Sequence, residues 1–215
     1  MKNNRSFLIV SVIAVAILFL GYTFWPFGRA PETIVSTPEV DSATLIKSHN
    51  LVKGAASAKV TIVEFLDPEC EACRAMHPII KNLMFEYEGK VKLVLRYMPL
   101  HGNSKLAAVM LEEARAQDKF DSALDAVFEK QPEWADHGRP RPELLPKILS
   151  EVGVDLSKLD TQQLMAKHGW KVEQDQADGE AVGARRTPTF FVNGKILSEI
   201  GYDPIKKAIE EELKK

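Results

Sequence analysis

The chain opens on a stretch without polar rhythm: residues 7–25, FLIVSVIAVAILFLGYTFW, carry no charge. A run of about 20 apolar residues has the length needed to span a bilayer. Tyr22 and Trp25 at its far end suit the interfacial aromatic belt, and Lys2 and Arg5 before it place the N-terminus in the cytoplasm. We expect residues 1–25 to be a cytoplasmic N-terminus and uncleaved single transmembrane anchor; a cleaved signal peptide and a buried core helix are the alternatives. Gly28-Arg29-Ala30 has the small residues of a cleavage site, but Pro31 follows at once. Residues 26–50, with Pro31 and Pro38 among Ser, Thr, Glu and Gly, read as an extracytoplasmic linker. Asp41 or Ser42 caps a short helix there, running through Lys47.

From residue 51 the pattern is that of a folded domain. Lys53-Gly54-Ala55 turns into a β-branched run, Val60, Thr61, Ile62, Val63 and Phe65, which ends at Asp67-Pro68. Met76, Ile79, Ile80, Leu83, Met84 and Tyr87 then recur at helical spacing up to Gly89. Residues 91–97 alternate as a strand that Pro99 stops. This β–α–β unit has a right-handed crossover, so its two strands are parallel. Residues 103–183 show little strand signal. They predict helices over 104–117, 120–128, 144–152, 160–168 and 170–184, with a loop around Trp134, Gly138, Pro140 and Pro142. Residues 189–192 and 195–198 flank Asn193-Gly194, a strong hairpin signal. A closing helix follows, with Asp203 as N-cap and Pro204 in its first turn.

Composition adds limits. A content of 45% hydrophobic and 27% charged residues fits a globular core, and a net charge of −2 gives no reason to expect a nucleic acid partner. The chain has two cysteines, Cys70 and Cys73, so its core rather than a disulfide framework holds the fold.

Both cysteines fall where the strand 60–66 has turned into a helix. The first backbone N–H groups of a helix are unpaired and its dipole is positive there, which stabilises a thiolate at Cys70. Cys73 lies one turn inside, close enough to resolve a mixed disulfide. A structural disulfide and a metal site completed by His77 are the alternatives; zinc needs about four ligands. Glu64 shares a strand face with Ile62 and Leu66, so it is either a buried acid of raised pKa or an edge-exposed glutamate. His77 and His101 are candidate bases, while His49, His137 and His168 have no supporting context. The methionines read as core filler.

Three offsets make the chain resemble the thioredoxin superfamily, and more closely the DsbA-like thiol–disulfide oxidoreductases. Glu64 stands six residues before Cys70, Pro78 stands five after Cys73, and residues 186–194, RTPTFFVNG, match the cis-proline loop, strand and turn. The resemblance implies an α/β thioredoxin fold over residues 51–215 with an all-helical insertion at about 103–183, preceded by the transmembrane helix. It further implies thiol–disulfide exchange by Cys70 and Cys73, proton transfer helped by Glu64, and substrate docking at Thr187 and Pro188. No cofactor or metal is implied. The implied partners are thiol-containing proteins and a membrane redox partner, at the periplasmic side of a bacterial inner membrane. A reductase or isomerase is the nearest alternative, and a copper-handling protein using Cys70, Cys73 and His77 is one of another class. Asp67, Glu69 and Glu71 crowd the cysteine turn, so we expect a raised Cys70 pKa and a weaker oxidant than DsbA.

Overall fold

The computed structural model describes residues 40–215. The expected anchor and the linker up to residue 39 lie outside the described residues. Among those described, no helix is long and apolar enough to cross a membrane.

Strands Leu51–Gly54 (β1), Val60–Leu66 (β2), Val91–Tyr97 (β3), Thr189–Val192 (β4) and Lys195–Ile196 (β5) form one sheet in the order β1-β3-β2-β4-β5. β2 and β3 pair in parallel, as a right-handed crossover requires, and every other pairing is antiparallel. β2 is therefore central, and its β-branched run is buried on both faces. The helices are Ser42–Leu45 (α1), Glu71–Glu86 (α2), Ser104–Ala116 (α3), Phe120–Glu129 (α4), Gln131–Trp134 (α5), Leu145–Glu151 (α6), Thr161–Ala181 (α7) and Tyr202–Leu213 (α8). Helices α3 to α7 make the insertion between β3 and β4.

Four local readings are corrected. Residues 51–54 are a strand rather than a lead-in turn, because β3 offers them a partner, Val52 opposite Val94. The helices expected over 160–168 and 170–184 are one helix, α7. Gly169 costs it only about 1 kcal/mol relative to alanine, and Asp160 with Gln163 forms a capping box that fixes its start. The closing helix α8 is capped by Gly201, not Asp203. Gly201 takes φ 140°, a region that favours glycine, so the chain turns into the helix before it reaches Asp203. The strand after Asn193-Gly194 is also shorter than 195–198, ending at Ile196.

The two faces of the sheet carry separate cores. Val60, Ile62, Leu66, Leu93, Leu95, Phe190 and Val192 join residues of α2, α8 and the insertion. Val63, Phe65, Val94 and Phe191 pack with Leu45 of α1 and with Met98 and Ala184. On that second face α7 comes very close: a Cβ at Gly179 would stand 2.9 Å from the Phe65 ring.

A buried charge cluster fastens α7 to the sheet. Arg96 of β3 is fully buried; its Nε donates to Asp175 Oδ1 at 2.8 Å and its Nη2 to Asp178 Oδ2 at 2.5 Å. Asp175 also accepts from Asn50 Nδ2 at 2.9 Å and from the Tyr97 N–H at 3.1 Å, and pairs with the His49 ring at 3.0 Å. Removing one partner of a buried pair strands the other charge, which costs about 3–5 kcal/mol. Asp175→Ala should lose that much in urea unfolding at unchanged m-value. A loss below about 1 kcal/mol, the range of exposed pairs, would show that the cluster does little to hold α7.

Candidate active site

β2 ends at Leu66, and the turn 67–69 delivers Cys70 to the N-cap of α2, at φ −81° and ψ 124°. An N-cap side chain faces the amides two and three residues on, here those of Ala72 and Cys73. As a neutral thiol the Cys70 sulfur makes no cap hydrogen bond; it donates instead to the Thr187 carbonyl at 3.3 Å. As a thiolate it is well served. A hydrogen bond from the Cys73 thiol, opposed by burial and joined by the Thr187 side chain and the Cys73 and Ala72 amides, brings its pKa down to about 5.

Cys73 is the opposite case. It is fully buried, while Cys70 keeps 7% exposure. Burial pushes its thiol far up, helped by its hydrogen bond to Cys70 and by the charges of Glu64 and Cys70; only the Asp67 N–H, 3.4 Å from the sulfur, works against this. The two sulfurs are unbridged thiols of very different acidity.

Glu64 is the buried acid, not an edge-exposed one, because β2 lies between β3 and β4. Desolvation lifts its pKa to about 8, against the weaker pull of Lys53. It makes no side-chain hydrogen bond to a described residue, and its charge is felt at Cys73. β4 runs antiparallel to β2 with Thr189 opposite Phe65, which brings the cis Thr187–Pro188 bond to the Cys70 sulfur.

The expectation that nearby acids raise the Cys70 pKa is overturned, and the reason is where those acids point. Asp67 is fully buried. Its Oδ2 accepts from the Leu100 N–H at 2.7 Å and the His101 N–H at 3.2 Å, and pairs with His101 Nδ1 at 2.7 Å. Its Oδ1 accepts from the Glu69 N–H at 2.8 Å and from the Ser104 hydroxyl. Glu69 accepts from Asn103 through its N–H at 2.7 Å and its side-chain amide at 3.0 Å. Glu71 pairs with His137 at 2.8 Å. Each acid is turned to a partner on or beside the insertion.

Of the two candidate bases, His101 lies at the site. Burial disfavours its charge, but the hydrogen bond and charge of Asp67 outweigh that and raise its pKa. His77 does not belong here: it pairs with Asp125 of α4 at 2.6 Å and lies against Phe128. His137, which had no sequence context, stands at the rim with its ring 5.6 Å from His101. Its signal was only its place in the glycine- and proline-marked loop. Among the described residues no three His, Cys, Asp or Glu side chains are grouped to hold a metal ion.

Two cysteines at the start of a helix, fed by a central strand and met by a cis proline, define a thiol–disulfide oxidoreductase on a thioredoxin fold. The family profile described as Thioredoxin matches residues 47–211. The chain is 31% identical over 175 residues to disulfide bond formation protein D of Bacillus subtilis (strain 168), which covers 76% of this chain and 77% of that one. It therefore belongs to the thioredoxin family, in the group of the disulfide bond formation D proteins. The crystal structure of oxidised BdbD from Bacillus subtilis superposes with a TM-score of 0.67 at 28% identity, covering 83% of this chain and 98% of that one. A second kind of relative, the Na(+)/H(+) antiporter NhaA of Herminiimonas arsenicoxydans, is 32% identical over 177 residues, 80% of this chain. The match takes in only 26% of that protein's length.

The titrations have opposite signs and can be read separately. Between pH 4.5 and about 8 the folded chain holds a proton on Glu64 that the unfolded chain releases, so this group's contribution to stability falls as pH rises. Relative to the wild type, Glu64→Gln should gain up to about 1.4 kcal/mol per pH unit across that window. Cys70 acts in reverse, its thiolate adding stability to the reduced protein from about pH 5 to the ordinary thiol value of 9.0. Denaturant melts over pH test the first, and ultraviolet thiolate absorbance tests the second. A Glu64→Gln difference that is flat with pH would mean that the carboxyl is ionised in the fold.

Proposed function

We propose that the chain oxidises protein dithiols outside the cytoplasmic membrane, with Cys70 as the exchanging sulfur. The observation that carries this reading is the asymmetry of the pair: Cys70 reaches the surface with a pKa of about 5, and Cys73 is buried with its acidity suppressed. A substrate thiolate attacks the Cys70 sulfur of the Cys70–Cys73 disulfide, and Cys73 leaves with the electron pair. Glu64, protonated below about pH 8, then returns a proton to Cys73. A second substrate thiolate then attacks the substrate sulfur of the mixed disulfide, and Cys70 departs as the stabilised thiolate. Two electrons have passed from substrate to protein, and a membrane redox partner would remove them. The Thr187 carbonyl borders the Cys70 sulfur, and Thr187 with Pro188 docks the substrate backbone there.

The direction follows from linkage. A reduced form stabilised as thiolate makes the disulfide a stronger oxidant, and a Cys70 pKa of about 5 lies between those of thioredoxin, about 7, and DsbA, about 3.5. The midpoint in glutathione buffers should accordingly fall between about −270 and −120 mV. A value at or below thioredoxin's would favour a reductase. Limiting iodoacetamide should label Cys70 first, and predominant labelling of Cys73 would reverse the two roles. In Glu64→Gln the attack by reduced Cys70 on a disulfide, which moves no Cys73 proton, should stay near the wild-type rate while steps that move the Cys73 proton slow by about 10²-fold or more. Mixed-disulfide lifetimes equal to wild type would make Glu64 a spectator.

For location, we infer that residues 1–25 anchor the chain in a bacterial inner membrane and that the residues following them, up to about residue 39, tether the domain on the periplasmic side. The uncharged run over 7–25, with Lys2 and Arg5 before it, supports this. The expected linker bound of residue 50 is too long, because Leu45 is a core residue and His49 and Asn50 bind Asp175. Carbonate-washed membranes should retain the full-length chain. A soluble product beginning near Ala30 would instead indicate cleavage.

A further inference from the structure

Gln131 is the first residue of α5, deep in the insertion and 2% exposed. Its side-chain amide nitrogen donates to the Pro68 carbonyl at 3.0 Å and to the Cys70 carbonyl at 3.0 Å. A carbonyl can only accept, so two of them facing one amide group fix its nitrogen toward the turn. Both ends of the cysteine turn are thus tied to a single side chain some sixty residues away.

The base that holds Gln131 is firm. Trp134 of α5 is fully buried, and its indole N–H donates to the Val127 carbonyl of α4 at 2.9 Å. On the other side, Pro68 has no N–H with which to fasten itself. The Cys70 carbonyl also accepts the Arg74 N–H at 3.1 Å, the first bond of α2. Where that carbonyl points sets ψ of Cys70, and ψ of an N-cap residue decides whether its side chain stays over the open amides of the helix. A carbonyl released from Gln131 could turn its negative end toward the sulfur.

We propose that Gln131 is a positioning residue for the exchange reaction: through the Pro68 and Cys70 carbonyls it holds the Cys70 sulfur over the first amides of α2. The insertion is then part of the redox centre as well as a cover for it. The inference rests on Cys70 being the exchanging sulfur, and the two can fail separately. Label appearing on Cys73 of the wild-type protein defeats that assignment, whatever Gln131 does.

Gln131→Met keeps the length of the side chain and removes both donors. The Cys70 pKa should rise by about one unit, a tenfold smaller acid dissociation constant. The glutathione equilibrium should shift about tenfold toward the disulfide, which is about 30 mV more reducing. A variant that melts earlier but keeps the wild-type pKa and midpoint would overturn the proposal, because a merely structural bond moves stability alone. Should Gln131→Met fail to fold, the wild-type side-chain amide supplies the measurement. Its NMR resonances should shift with the midpoint of the Cys70 titration, and resonances flat through that midpoint would equally overturn it.

Discussion

The carboxylate of Asp67 is the constraint from which the site follows. A fully buried carboxylate is tolerable only when donors surround it, and this one receives them from Glu69, Leu100, His101 and Ser104. Every one of those partners except Glu69 lies at the entrance to the insertion. The end of β3, the start of α3 and the cysteine turn are therefore set around one side chain. The Asp67 backbone N–H reaches the Cys73 sulfur, so the residue that binds the insertion also touches the buried thiol. Asn103 repeats the arrangement on Glu69, which ties the same two segments a second time.

Much of this was legible in the sequence. The central strand, the helix behind the cysteines, the parallel return and the Asn193-Gly194 hairpin are all local patterns with strong signals. The helical nature of residues 103–183 was plain from apolar spacing and from the lack of strand runs. β1 escaped because four residues alternating in burial make no pattern until a partner strand is beside them. Arg96 escaped for a related reason. It reads as the polar position of an alternating strand, and only the distant Asp175 and Asp178 reveal that it is buried and paired.

The site itself shows what a count of charges can miss. Three acids within five residues predict a field hostile to a thiolate. That inference assumes that the side chains stay near the sulfur they neighbour in sequence. In the fold they are drawn off by two imidazoles, a hydroxyl and the backbone and side-chain amides of other segments, and the helix start is left to act on Cys70. Ala72, whose side chain offers nothing, contributes through its amide instead. Glu64 was the easier case, since the apolar neighbours on its strand face already implied burial.

The short outer strands have a consequence of another kind. If, as proposed, the protein exchanges disulfides with unfolded chains, it risks becoming a template for them, because an open sheet edge offers unpaired backbone to any extended segment. Here one edge strand is four residues long and carries Lys53, and the other is two residues long. Neither leaves much backbone for a client to add to and aggregate upon. The edges are kept poor in pairing sites while the loop before β4 lies beside the reactive sulfur, so an extended client has more to gain at the redox pair than at the rim of the sheet.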